Sequence, residues 1–182
     1  MHDLEVEKPW EKLSELIATD DPEQINLFLN SINPSDTALA VSRLTSAEQN
    51  RLMTLLSPED AADVIEDISD TQGADLIEEL SPLQAAAILE ELDSDHIADL
   101  LGELDEDDAK AIIEQMAPEE AEEARQFLAY PPDTAGGLML SEYLDFRSDQ
   151  KVQDVLDDLQ DNREKYADYD VQYLYVTDDD NR

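Results

Sequence analysis

Cysteine is absent from the sequence, and aromatic residues make up only 5% of it. Without cysteine the chain can have no disulfide framework, no thiolate zinc site and no cysteine nucleophile. No apolar run approaches the roughly 18 residues that a membrane-spanning helix requires. The start, MHDLEVEKPW, lacks the basic segment and apolar stretch of a secretory signal. Because 41% of the residues are apolar, we expect a core built mainly from Ala, Leu and Ile.

Positive charge is also scarce, since 11 Lys and Arg stand against 48 Asp and Glu and give a net charge of −37. A chain of this sign repels nucleic acids and anionic lipids, and it attracts cations or basic proteins. We therefore expect no nucleic-acid partner. The sequence has only two histidines, no glycine-rich phosphate loop and no paired nucleophile and histidine, so we predict that it is not an enzyme.

A pattern of twelve residues repeats without interruption from residue 21 to residue 128. Its nine blocks begin with Asp, Asn, Thr, Ser, Ser, Ser, Asp, Asp and Ala, and eight of these can cap the N-terminus of a helix. Five blocks have Pro at the second position, where its missing N–H costs nothing. Each block therefore predicts the start of a new helix.

The blocks cannot form one long helix, because a face repeated every twelve residues turns by about 120° per block. Within one block, positions five, eight, nine and twelve form a single apolar stripe. Each block is therefore predicted to be a helix of about nine residues, too short to be stable alone. Such helices must stack on their neighbours in a solenoid. An additional first helix is predicted with Trp10, Leu13, Leu16 and Ile17 on one face.

The segment YPPDTAGGLM, residues 130–139, ends this array because of its prolines and glycines. After it we predict a short strand at 141–146, a helix at 148–162 and a strand at 171–177. Ser148 is expected to cap the helix, and Val152, Val155, Leu156 and Leu159 are expected to point inward. A strand followed by the turn DDDNR should have a further partner, so we expect the second domain to be truncated.

The capped acidic helices followed by YPPDTAGGLM resemble the cytosolic region of the MgtE family of magnesium channels and transporters. The resemblance implies a mainly α fold, a right-handed superhelix or solenoid of about ten short helices, followed by a truncated α/β CBS fragment. It implies a superhelical N domain at 1–128, a junction at 129–140 and a partial first CBS module at 141–182. The flagellar motor switch protein has a similar helical array, so an acidic protein-interaction scaffold is the alternative function.

The resemblance also implies a regulatory role. In the family, Mg2+ binds between the acidic helix faces and the CBS modules and holds the pore closed. The implied partners are the CBS and transmembrane domains of the same protein, with a homodimer in the parent. The implied location is the cytoplasmic face of the cell membrane, with this fragment itself soluble.

Positions three and seven of a block are neighbours on a helix, and in residues 93–104 they are Asp95 and Asp99. No basic residue occurs between Asp93 and Asp108, a stretch with eight acidic ones. From spacing alone, an ordinary solvated acidic face is the alternative. The resemblance assigns Asp95 and Asp99 to an ion-bridging helix.

Two further ligands are implied by the resemblance. They are Asp63 and the backbone carbonyl of Gly137, for which a turn glycine is the alternative. We expect His96 to be exposed or to cap a helix, with a metal or pH-sensing role as the alternative.

Overall fold

The computed structural model describes residues 8–130, 134–136, 139, 143–163, 166, 169 and 173–178. The chain divides into two compact units, Met1–Leu138 and Met139–Arg182. The finer division into an N domain, a junction and a partial CBS module stays a prediction. None of the helices in the described ranges is both long and apolar enough to span a membrane.

Ten short helices form the described part of the first unit. They are α1 (Pro9–Ile17), α2 (Pro22–Leu29), α3 (Pro34–Arg43), α4 (Ser46–Leu55), α5 (Pro58–Glu66), α6 (Asp70–Glu78), α7 (Pro82–Leu89), α8 (Ser94–Glu103), α9 (Glu106–Ile113) and α10 (Pro118–Leu128). From α2 to α10 each helix begins twelve residues after the previous one. The predicted mainly helical array is therefore confirmed.

Local capping explains why the helices begin where they do. The side chains that open the blocks of α2 to α7 each accept a hydrogen bond from a backbone N–H three residues ahead; these are Asp21, Asn33, Thr45, Ser57, Ser69 and Ser81. At α4 the Glu48 side chain also accepts from the Thr45 N–H, which completes a capping box. A cap of this kind contributes about 1 kcal/mol, so each helix has its own start signal.

Packing follows a two-helix rule from α4 onward. Helix α4 packs against α6, α5 against α7, α6 against α8, α7 against α9 and α8 against α10. The helices therefore form two rows in which each helix contacts the next but one. This explains why short helices that are unstable alone persist, because each buries its apolar stripe between two others.

The core is the stripe that the sequence predicts. In residues 81–92, positions five, eight, nine and twelve are Ala85, Ile88, Leu89 and Leu92, and all four are buried. Position six, which the stripe did not include, is also buried in three of the five blocks that have alanine there: Ala62, Ala74 and Ala86. A methyl group at this position widens the buried face without separating adjacent helices.

The second unit consists, in its described part, of β1 (Leu144–Arg147), α11 (Val152–Asp161) and β2 (Leu174–Thr177). The strands pair in parallel, with Leu144 opposite Leu174 and Arg147 opposite Thr177. The predicted order of strand, helix and strand is confirmed. A parallel pair requires a crossover connection, and α11 lies in it.

Two predictions about α11 are wrong. Ser148 does not cap it, because α11 begins only at Val152 and its N-cap is Lys151. The Ser148 N–H donates to the Thr177 carbonyl at 2.8 Å and so extends the pairing of the strands. Val152 and Leu156 do not point into a core, since they are 77% and 54% exposed. The two described strands form a sheet too narrow to cover the whole apolar face of the helix.

Candidate metal centre

The N-terminal half of α8 carries the two carboxylates that the sequence singled out. Asp95 and Asp99 are one helical turn apart, and both are half-buried rather than fully solvated. An oxygen of Asp95 accepts a hydrogen bond from the His96 backbone N–H at 2.8 Å, which fixes the orientation of that carboxylate. Two oriented carboxylates on one face can coordinate a hard cation.

Asp99 has an environment that is unfavourable for its charged form. Burial raises the pKa of its carboxyl group, the negative charges of Asp70 and Asp95 raise it further, and His96 partly opposes them. Asp70 begins α6, which packs against α8, so the helix pairing brings this charge close. The charged form of Asp99 is therefore disfavoured, and a cation at this position would relieve the cost.

Glu66, at the end of α5, belongs to the same region and was missed in the sequence. Burial raises the pKa of its carboxyl group, His96 lowers it, and Asp93 raises it again. The charges of Asp93 and His96 at the start of α8 thus act on the end of α5. No sequence signal marks Glu66, because its role depends on which helices become neighbours.

Asp63 lies in a different part of the surface. It lines a small cleft between α2, α3 and α5, which opens to solvent. Burial raises the pKa of Asp63, and the charges of Asp60 and Asp67 add to this effect. The side-chain amide of Asn26 donates a hydrogen bond to Asp60 across the cleft. Asp63 is not among the charges that act on Asp99, so the structure gives no sign that the two share one ion.

His96 and Gly137 are the two remaining residues that the sequence singled out. His96 is half-buried at the start of α8, so the expectation of an exposed side chain is wrong, while its alternative form, a histidine that caps the helix, stays a prediction. Gly137 lies outside the described residues, and its role stays a prediction.

Charge balance favours cation binding over internal pairing. The sequence has no Lys or Arg between Arg51 and Lys110, so α5 to α8 carry many carboxylates and no basic side chain except His96. Hard oxygen donors without competing ammonium or guanidinium groups match the preference of Mg2+, which needs one or two carboxylates and keeps several waters. The donor set therefore fits magnesium.

The family model of the MgtE intracellular N domain matches residues 32–133. A crystal structure of the soluble part of a magnesium transporter is similar with a TM-score of 0.77 and 24% identity, covering 97% of this chain and 69% of that one. A crystal structure of the cytosolic domain of the Mg2+ channel MgtE in complex with ATP has a TM-score of 0.78 and 28% identity, covering 95% and 70%. No curated protein matches significantly.

Proposed function

The chain belongs to the family of the MgtE intracellular N domain, and we propose that it is a magnesium-sensing region of a magnesium channel or transporter. Its predicted location inside the cell agrees with the family model, which describes an intracellular domain. Its role is regulatory binding, not catalysis. An acidic scaffold that docks a basic partner is the second candidate, supported only by the net charge of −37.

One observation carries the proposal: Asp95 and Asp99 are half-buried on one face of α8, where neighbouring carboxylates raise the pKa of Asp99 after burial has done so. Burying like charges without a cationic partner is unfavourable. Because the sequence of α5 to α8 contains no Lys or Arg, this surface suits a divalent ion that binds and leaves as its concentration changes.

Within this proposal, Asp95 and Asp99 hold one magnesium ion, and Asp63 marks a separate site in the cleft beside Asp60 and Asp67. Mg2+ supplies the positive charge that screens these carboxylates. Two carboxylates leave coordination positions open. We expect water or oxygen donors such as the Gly137 carbonyl to fill them.

The partners are also part of the proposal. They are the CBS and transmembrane domains of the same protein, in a homodimeric parent. When magnesium is abundant, bound ions allow the acidic face to approach other acidic surfaces and hold the pore closed. When magnesium is scarce, the ions leave and repulsion separates these surfaces. A bound ion is needed because like charges at contact distance oppose association.

Thermal unfolding of the chain in MgCl2 and in NaCl at equal ionic strength tests the proposal. A site with a Kd of about 1 mM gives about 1.4 kcal/mol of stabilisation at about 10 mM Mg2+. This corresponds to a rise in Tm of roughly 3 to 6 °C for a chain of this size. The double substitution Asp95→Asn and Asp99→Asn should remove most of this difference.

The matched control is Asp75→Asn with Asp107→Asn, which changes the net charge equally at two exposed positions. This variant should keep the response to magnesium. Equal stabilisation by MgCl2 and NaCl in the unsubstituted chain would indicate plain screening and would refute a specific magnesium site.

A further inference from the structure

The imidazole of His96 has an unusual environment for a histidine on an acidic surface. Its Nδ1 atom is shielded from solvent and has no hydrogen-bond partner among the described residues. A shielded polar nitrogen without a partner is unfavourable, and most such atoms in folded proteins have one. A positively charged ligand that accepts the nitrogen lone pair would remove this cost.

Two carboxylates lie beside this ring. Asp93, Asp95 and His96 each offer one ligand atom, and these atoms lie within 4.8 Å of one another. Donors on a first-row metal ion at about 2.1 Å are roughly 3 to 4 Å apart, so small side-chain rotations would bring the three onto one ion. The hydrogen bond from the His96 N–H to Asp95 already orients one of the carboxylates.

Glu66, at the end of α5, adds negative charge near this cluster, since the charges of His96 and Asp93 both act on its carboxyl group. It is not one of the three groups whose ligand atoms lie together.

The nitrogen donor decides which ion fits. Magnesium prefers oxygen ligands only, whereas imidazole suits Zn2+ and its first-row neighbours. We propose that His96, Asp93 and Asp95 form a site for a borderline divalent transition metal such as Zn2+ or Co2+. It shares Asp95 with the proposed magnesium site and differs from it in the nitrogen donor, so the two ions compete for that carboxylate. The inference does not rest on the proposed magnesium regulation.

Titration with Co2+, followed by visible absorption, and with Zn2+, followed by calorimetry, tests this inference. Both are done without Mg2+, because the proposed magnesium ion would compete for Asp95. We expect one ion per chain and at least a tenfold weaker affinity in His96→Asn. The matched control is His2→Asn, since the chain has only these two histidines, and its affinity should be unchanged.

A second measurement separates loss of the ligand from loss of folding. Imidazole 15N signals of the unsubstituted chain should show that Zn2+ shifts His96 and not His2. Equal Zn2+ affinity in His96→Asn, or a shift confined to His2, would overturn the inference. Asp99→Asn should weaken the magnesium response and leave Co2+ binding intact, while His96→Asn should do the reverse. The failure of one proposal is thus distinguishable from the failure of the other.

Discussion

A carboxylate oxygen of Glu90, just after α7, accepts a hydrogen bond from the backbone N–H of Ala117 at 2.5 Å. Ala117 opens the one block of the array whose first side chain cannot cap a helix. Glu90 therefore binds the N-cap N–H of α10, a role that glutamate in a capping box fulfils within one helix. A negative charge at this end also interacts favourably with the helix dipole.

We expect Glu90→Ala to destabilise the first unit by about 1 kcal/mol, the usual contribution of a helix cap. Glu91→Ala, which removes the same charge at the next exposed position, is the matched control. Ala117→Ser should recover part of the loss by supplying a local cap. Urea unfolding of the unsubstituted chain, of Glu90→Ala, of Glu91→Ala and of Glu90→Ala with Ala117→Ser measures these differences. Equal losses for Glu90→Ala and Glu91→Ala would contradict this role.

The hydroxyl of Ser14 on α1 donates to Glu48 on α4 at 2.5 Å, and this bond is the largest cause of the lowered pKa of Glu48. Because its folded-state pKa is lowered, Glu48 stabilises the protein at pH values above its ordinary pKa of 4.5. This stabilisation is lost as the pH falls through the folded-state pKa. Because Glu48 is partly solvated, we expect Ser14→Ala to cost only about 0.5 to 1 kcal/mol at pH 7. Chemical unfolding should show this cost shrinking below pH 4.5. A cost that is independent of pH would indicate packing instead.

The acidic groups of the proposed magnesium surface predict the opposite dependence on pH. Burial is the first cause of a raised pKa in Asp63, Glu66 and Asp99. These three groups contribute most to the free energy of unfolding when the pH is below their unfolded-state pKa values near 4. The contribution is lost as the pH rises through their raised folded-state pKa values. Without magnesium, the free energy of unfolding should therefore rise as pH falls from 7 to 5. Denaturant titrations at pH 5, 6 and 7 measure it.

The effect of one carboxylate can be isolated. Asp99→Asn should stabilise the magnesium-free chain at pH 7 by a few tenths of a kcal/mol, because it removes repulsion from Asp95 and Asp70. It should also flatten the rise in stability toward pH 5. The exposed Asp75→Asn is the control. A decrease in stability between pH 7 and pH 5 in the unsubstituted chain would contradict this account.

Two helical glycines should respond in opposite ways to alanine. A Cβ at Gly73 in α6 would lie 2.7 Å from Cδ2 of Leu100, which is buried in α8. A Cβ at Gly102 meets no described atom within 4 Å. Gly73→Ala should cost about 1 to 3 kcal/mol through overpacking, less what helix propensity returns. Gly102→Ala should gain up to about 1 kcal/mol. Thermal unfolding of both variants measures these effects. A stabilising Gly73→Ala would mean that α6 and α8 can move apart to accept the added methyl group.

The sequence predicted the helix starts well because capping is local. Ser57 and Ser81 bind N–H groups three residues ahead, so their roles need no knowledge of the rest of the fold. Glu66 and Glu90 act across helices far apart in sequence, and only the packing of the array reveals them.

The errors in the second unit also have a physical cause. The periodic pattern of α11 identified an apolar face, but a pattern cannot say whether anything covers it, and Val152 and Leu156 are exposed. Ser148 has the side chain of a cap, yet α11 begins only at Val152. Sequence alone locates the end of a helix only to within a few residues.

From α4 to α10 the even-numbered helices pack against one another in one row and the odd-numbered helices in another. Loss or gain of one twelve-residue block would transfer every later helix to the opposite row, where it would meet different neighbours. Loss or gain of 24 residues would keep all later helices in phase. Length changes in such an array should therefore be tolerated in pairs of helices, and the side on which α8 displays Asp95 and Asp99 depends on whether the number of inserted blocks is even or odd.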